Sequence, residues 1–381
     1  VRGRIDSPVS IKFLKAFAAE RALSSGAYRN PEKEPDKGRS VCIVGAGPAG
    51  LSAAYYLALK GYRVTVLEAQ PSAGGMILLG IPRYRLPREV IDREVGMLGE
   101  LGVAFRFNTR LGDDVTMEDL KAEGFDAFFS AVGAHHAFKL GIPGESDFPQ
   151  VLEAVDFLRE VALGQRESPG QRVIVIGGGN VAIDAARTSL RLGSRAVTLA
   201  YRRTRHEMPA DEEEVEQAEE EGIHLQFLTI PEKVVGGNGR IEGLLCLRAE
   251  LVAAGDSTRM RPVPVENSDF LLEADCIISA IGQKVDADCL AGIGGLDWTR
   301  RRTIQTNMVS METSVEGVFA AGDAVTGPAT VIEAIGGGKR GADAIHRFLS
   351  GIPQPEMPPV PVRRRRIPFS ELTATQKMTA K

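Results

Sequence analysis

Along the chain, short runs of β-branched and other apolar residues alternate with longer stretches of helical period. Residues 41–44, 63–67, 103–107 and 125–132 have the length and composition of buried strands. Between them, 51–60 and 88–101 place apolar residues at helical spacing. The rhythm returns with strands expected at 173–176, 224–230, 244–251 and 275–281, and a turn at 236–239. A last strand at 317–323 precedes a helix from Thr330 to about Leu349. Strands alternating with helices predict an α/β fold built on parallel sheets. Upstream, 11–17 has helical spacing with Ser10 at the N-cap position, and Gly-, Pro- and charge-rich 24–39 reads as a linker. That first helix either packs on the core or meets a partner. The acidic run 211–221, with Val215 and Ala218 on one face, reads as a solvated helix.

The turns carry the chemistry. After the first strand come Gly45, Ala46, Gly47, Pro48, Ala49 and Gly50, spaced G-x-G-x-x-G at the start of a helix. Glu68 ends the next strand, 23 residues after Gly45. In that context the pattern is a strong dinucleotide-binding signal: backbone approaches a pyrophosphate at the helix N-terminus, and the carboxylate accepts the ribose hydroxyls. Gly177, Gly179 and Ala182 repeat it as G-x-G-x-x-A at a constant offset of 132, with Asn180 and Val181 opening the helix. Gly61 and Gly193 keep that offset, and one inserted residue then aligns Glu68 with Tyr201. Tyr201 is followed by Arg202 and Arg203. A carboxylate in one unit and two guanidinium groups in the other predict different ligands; the arginines suit a 2′-phosphate.

Three further stretches join these turns. Residues 74–82, with Gly75, Met76, Gly80 and Ile81, form an apolar glycine-rich loop that can lie flat against an aromatic ring system or simply be buried. Ala131 and Gly133 close one strand, and Ala280 and Gly282 close its counterpart in the second unit; ligands sit at such carboxyl ends. Gly322 and Asp323 end the last strand, and Ala329, Thr330 and Val331 open a helix whose N-terminus can face an acceptor. His206 stands alone and reads as a loop or surface residue.

Composition adds bounds. Apolar residues make up 43% of the 381-residue chain and charged residues 25%, which is an ordinary globular balance of two or three domains. A net charge of -4 argues against a nucleic-acid partner. Each end carries +4 (residues 1–39 and 351–381), so the middle carries -12. The Pro-rich tail with Arg363 to Arg366 reads as extended or disordered. The four cysteines form no C-x-x-C pair, which fits free thiols in a reducing cytoplasm and predicts no metal site. No apolar run reaches membrane-span length.

With these motifs placed, the chain resembles the small-subunit family of glutamate synthase, NADPH-dependent FAD oxidoreductases with two Rossmann-like domains. It is similar as well to the NADPH/FAD part of dihydropyrimidine dehydrogenase and to the large subunit of bifurcating ferredoxin–NADP reductases. The match runs over roughly 8–350 and is most specific across 177–210. The resemblance implies FAD on Gly45, Gly47, Ala49, Gly50, Glu68, Gly75, Gly133, Asp323 and the Thr330–Val331 helix start, with Ala46, Pro48, Met76, Ala131, Gly322 and Ala329 beside it and Gly80 and Ile81 facing the flavin. It implies NADP(H) on Gly177, Gly179, Asn180, Val181, Arg202 and Arg203, bordered by Ala280 and Gly282. No acid–base side chain is required beyond the cofactors.

The expected organisation is a helix and linker at 1–38, an FAD-binding domain at 39–145 and 303–350, an NADP-binding domain inserted at 146–302, and a tail at 351–381. The family carries an N-terminal domain whose cysteines hold iron–sulfur clusters. Here Pro8-Val9-Ser10-Ile11 matches its end, the chain begins at Val1 and no cysteine precedes Cys42. FAD and NADP(H) but no cluster are therefore expected on this chain, with electrons leaving to an iron–sulfur or large catalytic partner subunit. Alternatives are a ferredoxin–NADP reductase type of flavoprotein running in either direction and a non-catalytic scaffold subunit. A thioredoxin-reductase-like enzyme is disfavoured by the missing C-x-x-C.

Overall fold

A computed structural model describes residues 9–254 and 257–355. From residue 356 on, the expected tail, Arg363 to Arg366 included, lies outside the described residues, as does Pro8. The described residues fall into two bodies, one of residues 9–32 with Pro355, the other of residues 33–354. In the first, α1 spans Ile11–Ser24, longer than the expected core of the helix, and buries none of its residues. Ser10 precedes it as expected but makes no side-chain capping bond.

The second body begins earlier than expected. From Lys33 the supposed linker is laid onto the domain: Glu34 N–H donates to Leu59 O at 2.7 Å and Lys37 N–H to Gly61 O at 3.0 Å. A Cβ on Gly61 would sit 2.1 Å from Pro35 O, so only glycine admits this strap.

The chain then runs β1 (Ser40–Val44), α2 (Pro48–Leu59), β2 (Arg63–Leu67), α3 (Met76–Leu79), α4 (Arg88–Glu100), β3 (Ala104–Arg106), α5 (Met117–Ala122) and β4 (Ala127–Ser130). It crosses through β5 (His136–Ala137) to β6 (Val151–Glu153), α6 (Ala154–Ala162), β7 (Arg172–Ile176), α7 (Asn180–Arg191), β8 (Ala196–Ala200), α8 (Glu212–Glu220) and β9 (His224–Gln226). A hairpin layer follows: β10 (Thr229–Gly237), β11 (Arg240–Ala254), β12 (Ser257–Pro264) and β13 (Phe270–Glu273). The last described elements are β14 (Cys276–Ser279), β15 (Gln283–Lys284), β16 (Val318–Ala320), α9 (Asp323–Thr326) and α10 (Val331–Leu349).

Two five-stranded parallel sheets result, in the orders β16-β4-β1-β2-β3 and β6-β14-β7-β8-β9. Their central strands are apolar on both faces, as a covered parallel sheet demands. Val41 and Ile43 of β1 pack in one core with α2 and α10, while Cys42 and Val44 face the other. In β7, Val173 and Val175 face α7, and Ile174 and Ile176 meet the hairpin layer. The repeat is thus realised strand for strand except at one place. The fifth strand of the first sheet, β16, comes from the far end of the chain, whereas its counterpart β6 comes from just before the second turn.

Three expectations change. The strand expected over 224–230 breaks into β9 and β10 because Leu228 takes a positive φ of 50°. Asn238 and Gly239, at φ 53° and 74°, close the β10–β11 hairpin as a two-residue turn, and β12 and β13 extend that layer beyond the strand foreseen. The boundary expected at 302 also moves. Leu290 and Ile293 already pack with Cys42, Val44 and Leu67, so the chain rejoins the first core soon after β15. Where it crosses, β15 pairs antiparallel with β5, so both connections run side by side.

Candidate functional site

At the first turn, every element converges on backbone. Gly45 has φ 104°, and a Cβ there would lie 2.4 Å from Ala131 O, so the end of β4 presses directly on the glycine. A Cβ on Gly50 would lie 1.9 Å from Gly45 O, which lets α2 start tight against β1. Glu68 is buried, with Oε2 accepting Ala46 N–H at 2.8 Å and Oε1 accepting Gln70 N–H at 2.9 Å. Burial raises its pKa, against the pull of those backbone donors. Gly74 N–H donates to Ala46 O at 2.8 Å, and a Cβ on Gly75 would lie 2.7 Å from Gly47 Cα, so the 74–82 loop folds over the turn. Within that loop the structure forms the short helix α3.

These parts wall a cavity of about 730 Å³. Sixteen of the residues expected on FAD line it: Gly45, Gly47, Pro48, Ala49, Glu68, Gly75, Met76, Gly80, Ile81, Ala131, Gly133, Gly322, Asp323, Ala329, Thr330 and Val331. Ala46 and Gly50 stand behind it as the frame of the turn. Asp323 lines it too, with Oδ1 accepting Ala329 N–H at 3.2 Å, and burial lifts its pKa to about 6. Thr330 caps α10 through a reciprocal box: its hydroxyl accepts Glu333 N–H, and the Glu333 carboxylate accepts Thr330 N–H at 3.0 Å. The next amides, of Val331 and Ile332, have no partner within a helix and face outward from its positive end.

The second turn repeats the backbone and changes the side chains. A Cβ on Gly177 would lie 2.5 Å from Ala280 O, the same contact that Gly45 makes with Ala131. Tyr201 takes the place of Glu68 and lays its ring on Gly178, where a Cβ would be 2.4 Å from the ring; its hydroxyl donates to Glu207 O at 2.8 Å. The expected arginine pair is divided. Arg202 is exposed, while Arg203 is buried with Nε donating to Met260 O at 3.0 Å. His206 is exposed, as expected of a surface residue. Of the second set, Asn180 and Val181 reach the large cavity; Gly177, Gly179, Arg202, Arg203, Ala280 and Gly282 do not line it.

Several lining residues carry no motif. Arg85 and Asp184 line the wall between the two turns, and Asp156 and Arg159 reach in from α6. His135, Gln283 and Asp286 sit where β5 and β15 cross, and Asp286 pairs with Arg110 and with His136 at 3.4 Å. Close packing lowers the His135 pKa to about 4, aided by the positive Arg159, so its ring is neutral at pH 7. A charge count along α8 could have flagged one correction: the acidic run is not merely solvated. Val215 and Ala218 are buried as expected, but Glu214 and Glu221 take ion pairs from arginines of α7.

Cys42, Cys246 and Cys276 are buried and unpaired, and Cys289 borders the cavity; burial pushes all four thiols to about 12. Among the described residues no His, Cys, Asp and Glu group could hold a metal, and no helix is long and apolar enough to cross a membrane.

Comparison with known proteins agrees with this geometry. The family described as pyridine nucleotide-disulphide oxidoreductase matches residues 39–338. A subunit beta of NADP(+)-dependent formate dehydrogenase from Moorella thermoacetica is 43% identical, over 91% of this chain and 52% of its own length. The chain thus spans about half of that relative. The small chain of NADPH glutamate synthase from Escherichia coli is 32% identical over 90% of this chain and 75% of its own. Among solved structures, Mycobacterium tuberculosis FprA in complex with NADPH superposes at a TM-score of 0.70, with 21% identity, over 84% of this chain and 85% of that one. At that identity the likeness speaks for the fold. From the match across both turns and the relative covered over three quarters of its length, the chain belongs to the pyridine nucleotide-disulphide oxidoreductase family and stands within it beside the glutamate synthase small chains.

Proposed function

We propose that this chain is an NADPH-dependent FAD oxidoreductase unit that passes electrons to a partner subunit. One observation carries the reading: the first turn and the start of α7 open into the same cavity, which Asn180 and Val181 line together with Gly45, Gly80 and Thr330. A dinucleotide on each turn would bring its redox end to that shared space.

The residues fit FAD in the first turn. The cradle where Gly45 and Gly75 exclude a Cβ, with the bare backbone of Gly47 beside them, leaves room for a pyrophosphate against backbone. Glu68, already oriented by two amides, offers its remaining lone pairs to a ribose. Asp323 faces the same cavity as a ligand for the cofactor's polyol or pyrophosphate, and the α10 terminus supplies a positive field for an acceptor edge. Met76, Gly80 and Ile81 form an apolar wall that keeps water from the redox centre. In the second turn Arg202 is the residue for a 2′-phosphate, with Gly177 and Gly179 on the pyrophosphate. When bound, FAD supplies the chemistry, accepting two electrons as hydride from NADPH and releasing them singly. The protein's own task is to orient the two rings and hold them dry.

The matched relatives are named as a subunit beta and a small chain, which supports a larger assembly for this chain and an iron–sulfur or large catalytic subunit as acceptor. The free thiols favour a reducing cytoplasm. The decisive test is simple. The purified chain should be yellow, bleach on anaerobic NADPH and respond far less to NADH. A colourless protein, or one indifferent to NADPH, sinks the reading.

A further inference from the structure

The loop that carries Gly80 and Ile81 belongs to the first domain, yet its next residues are held by the second. Arg85 Nη1 donates to both carboxylate oxygens of Asp184 on α7, each at 2.8 Å, and its Nε lies 3.2 Å from Glu214 of α8. Glu214 also takes Arg187 Nη1 at 2.5 Å, and Glu221 takes Arg187 at 2.7 Å and Arg191 at 2.7 Å. The ring of Tyr84 lies beneath these guanidinium groups, 3.8 Å from Arg191 and 4.9 Å from Arg187. The network therefore balances three arginines against three carboxylates around one aromatic ring. Asp184 and Arg187 are only 4% and 5% exposed, so neither charge can be left unpaired cheaply. Apolar contact joins the network where Leu163 packs against the cluster of Leu78, Leu79 and Ile91.

Asp184 sits one helical turn after Asn180, on the same face of α7, and both line the cavity. Arg85 lies four residues after Ile81, and both line the same cavity. The ion pair thus ties the nucleotide turn of one domain to the apolar loop of the other. We propose that Asp184 and Arg85 are a positioning pair, with Tyr84 as its wedge. They set the distance between the start of α7 and the 74–82 loop, the two elements that would hold the nicotinamide and the flavin. This rests on the cofactor reading above.

The test uses the full chain with its cofactor. Asp184→Asn and Arg85→Gln should each lower the limiting rate of flavin reduction at saturating NADPH by about tenfold or more, since ångström-scale misplacement costs that much. NADPH affinity should stay within about threefold and photochemical reduction of the flavin should be unchanged, because neither depends on the spacing. The double variant should be no slower than the slower single one, as expected of groups acting as a unit. An unchanged limiting rate, a loss explained by weaker NADPH binding, or single effects that multiply would each overturn the pairing. Hydrogen exchange gives a readout independent of the cofactors: Asp184→Asn should deprotect residues 80–87, and continued protection overturns the latch. If the unaltered chain fails to react with NADPH while this deprotection is seen, the cofactor reading fails and the latch stands. Should Asp184→Asn fail to fold, Arg85→Lys, which keeps the charge but loses the fork, must still slow reduction.

Discussion

The two glycine turns share a backbone and diverge in everything built on it. Both press their first glycine against the carbonyl that ends a neighbouring strand, Ala131 for Gly45 and Ala280 for Gly177. In the first, a buried carboxylate braces the turn, the 74–82 loop folds over it and α10 closes the far side. In the second, an aromatic ring takes the carboxylate's place and the neighbouring arginine is left exposed. The lesson is that a duplicated turn repeats a backbone cradle. How far that cradle is enclosed is decided by what the rest of the chain lays on top.

This contrast can be broken at its tightest point. Gly50→Ala, whose Cβ would lie 1.9 Å from Gly45 O, should abolish flavin binding, read as loss of yellow colour in a chain that still shows its far-ultraviolet dichroism. Next, Glu68→Ala leaves the buried amide of Ala46 without its acceptor and frees that of Gln70. A stability loss of about 3 kcal/mol is expected, with flavin shed on gel filtration; retention of flavin at an unchanged melting temperature would show that the brace is dispensable.

The crossing between the domains provides a pH test. His135 has a folded pKa of about 4 against an ordinary 6.5, so the folded state holds it neutral while the unfolded chain protonates it. That contribution is intact above pH 6.5 and is lost as pH falls through 4. It amounts to about 3 kcal/mol at most, reduced by water reaching the ring from the cavity. Denaturant titrations at pH 7.5 and 4.5 should show a smaller acid loss for His135→Gln than for the unaltered chain. Equal losses would assign the acid sensitivity elsewhere.

Smaller effects belong to the second turn. Arg202→Ala should raise the NADPH KM about tenfold and leave the NADH KM nearly unchanged, the loss of one charge-assisted bond. Arg203→Ala should instead act on stability, because its Nε holds Met260 O. Equal shifts for both coenzymes would remove the 2′-phosphate assignment from Arg202. Last, Ala182→Gly, which copies Gly50 into the second unit, should cost only about 1 kcal/mol through helix propensity.

Much of this was legible because it is local. The helix of α10 begins where Thr330 and Glu333 stand three apart, and the β10–β11 hairpin turns where Asn238 and Gly239 tolerate positive φ. Leu228 gave no such sign: nothing in its type announces a positive φ that splits a strand. The strap from Lys33 was equally hidden, since its composition is that of a free linker and only the gap beside Gly61 receives it. The arginine pair was legible as charge, but neighbours in sequence on an extended segment point to opposite sides, and one was drawn into the hairpin layer.

The sequence by itself therefore determined the α/β alternation, both glycine turns, the carboxylate at Glu68 and the helix start at Thr330, because backbone sterics and capping act over a few residues. Only the tertiary structure decided that β16 pairs with β4 at the edge of the first sheet, that Arg85 meets Asp184 across 99 residues and that Arg110 meets Asp286 across 176. Such pairs are chosen by how two packed domains face each other. A charge carries no record of its partner until burial has removed the water that would otherwise satisfy it.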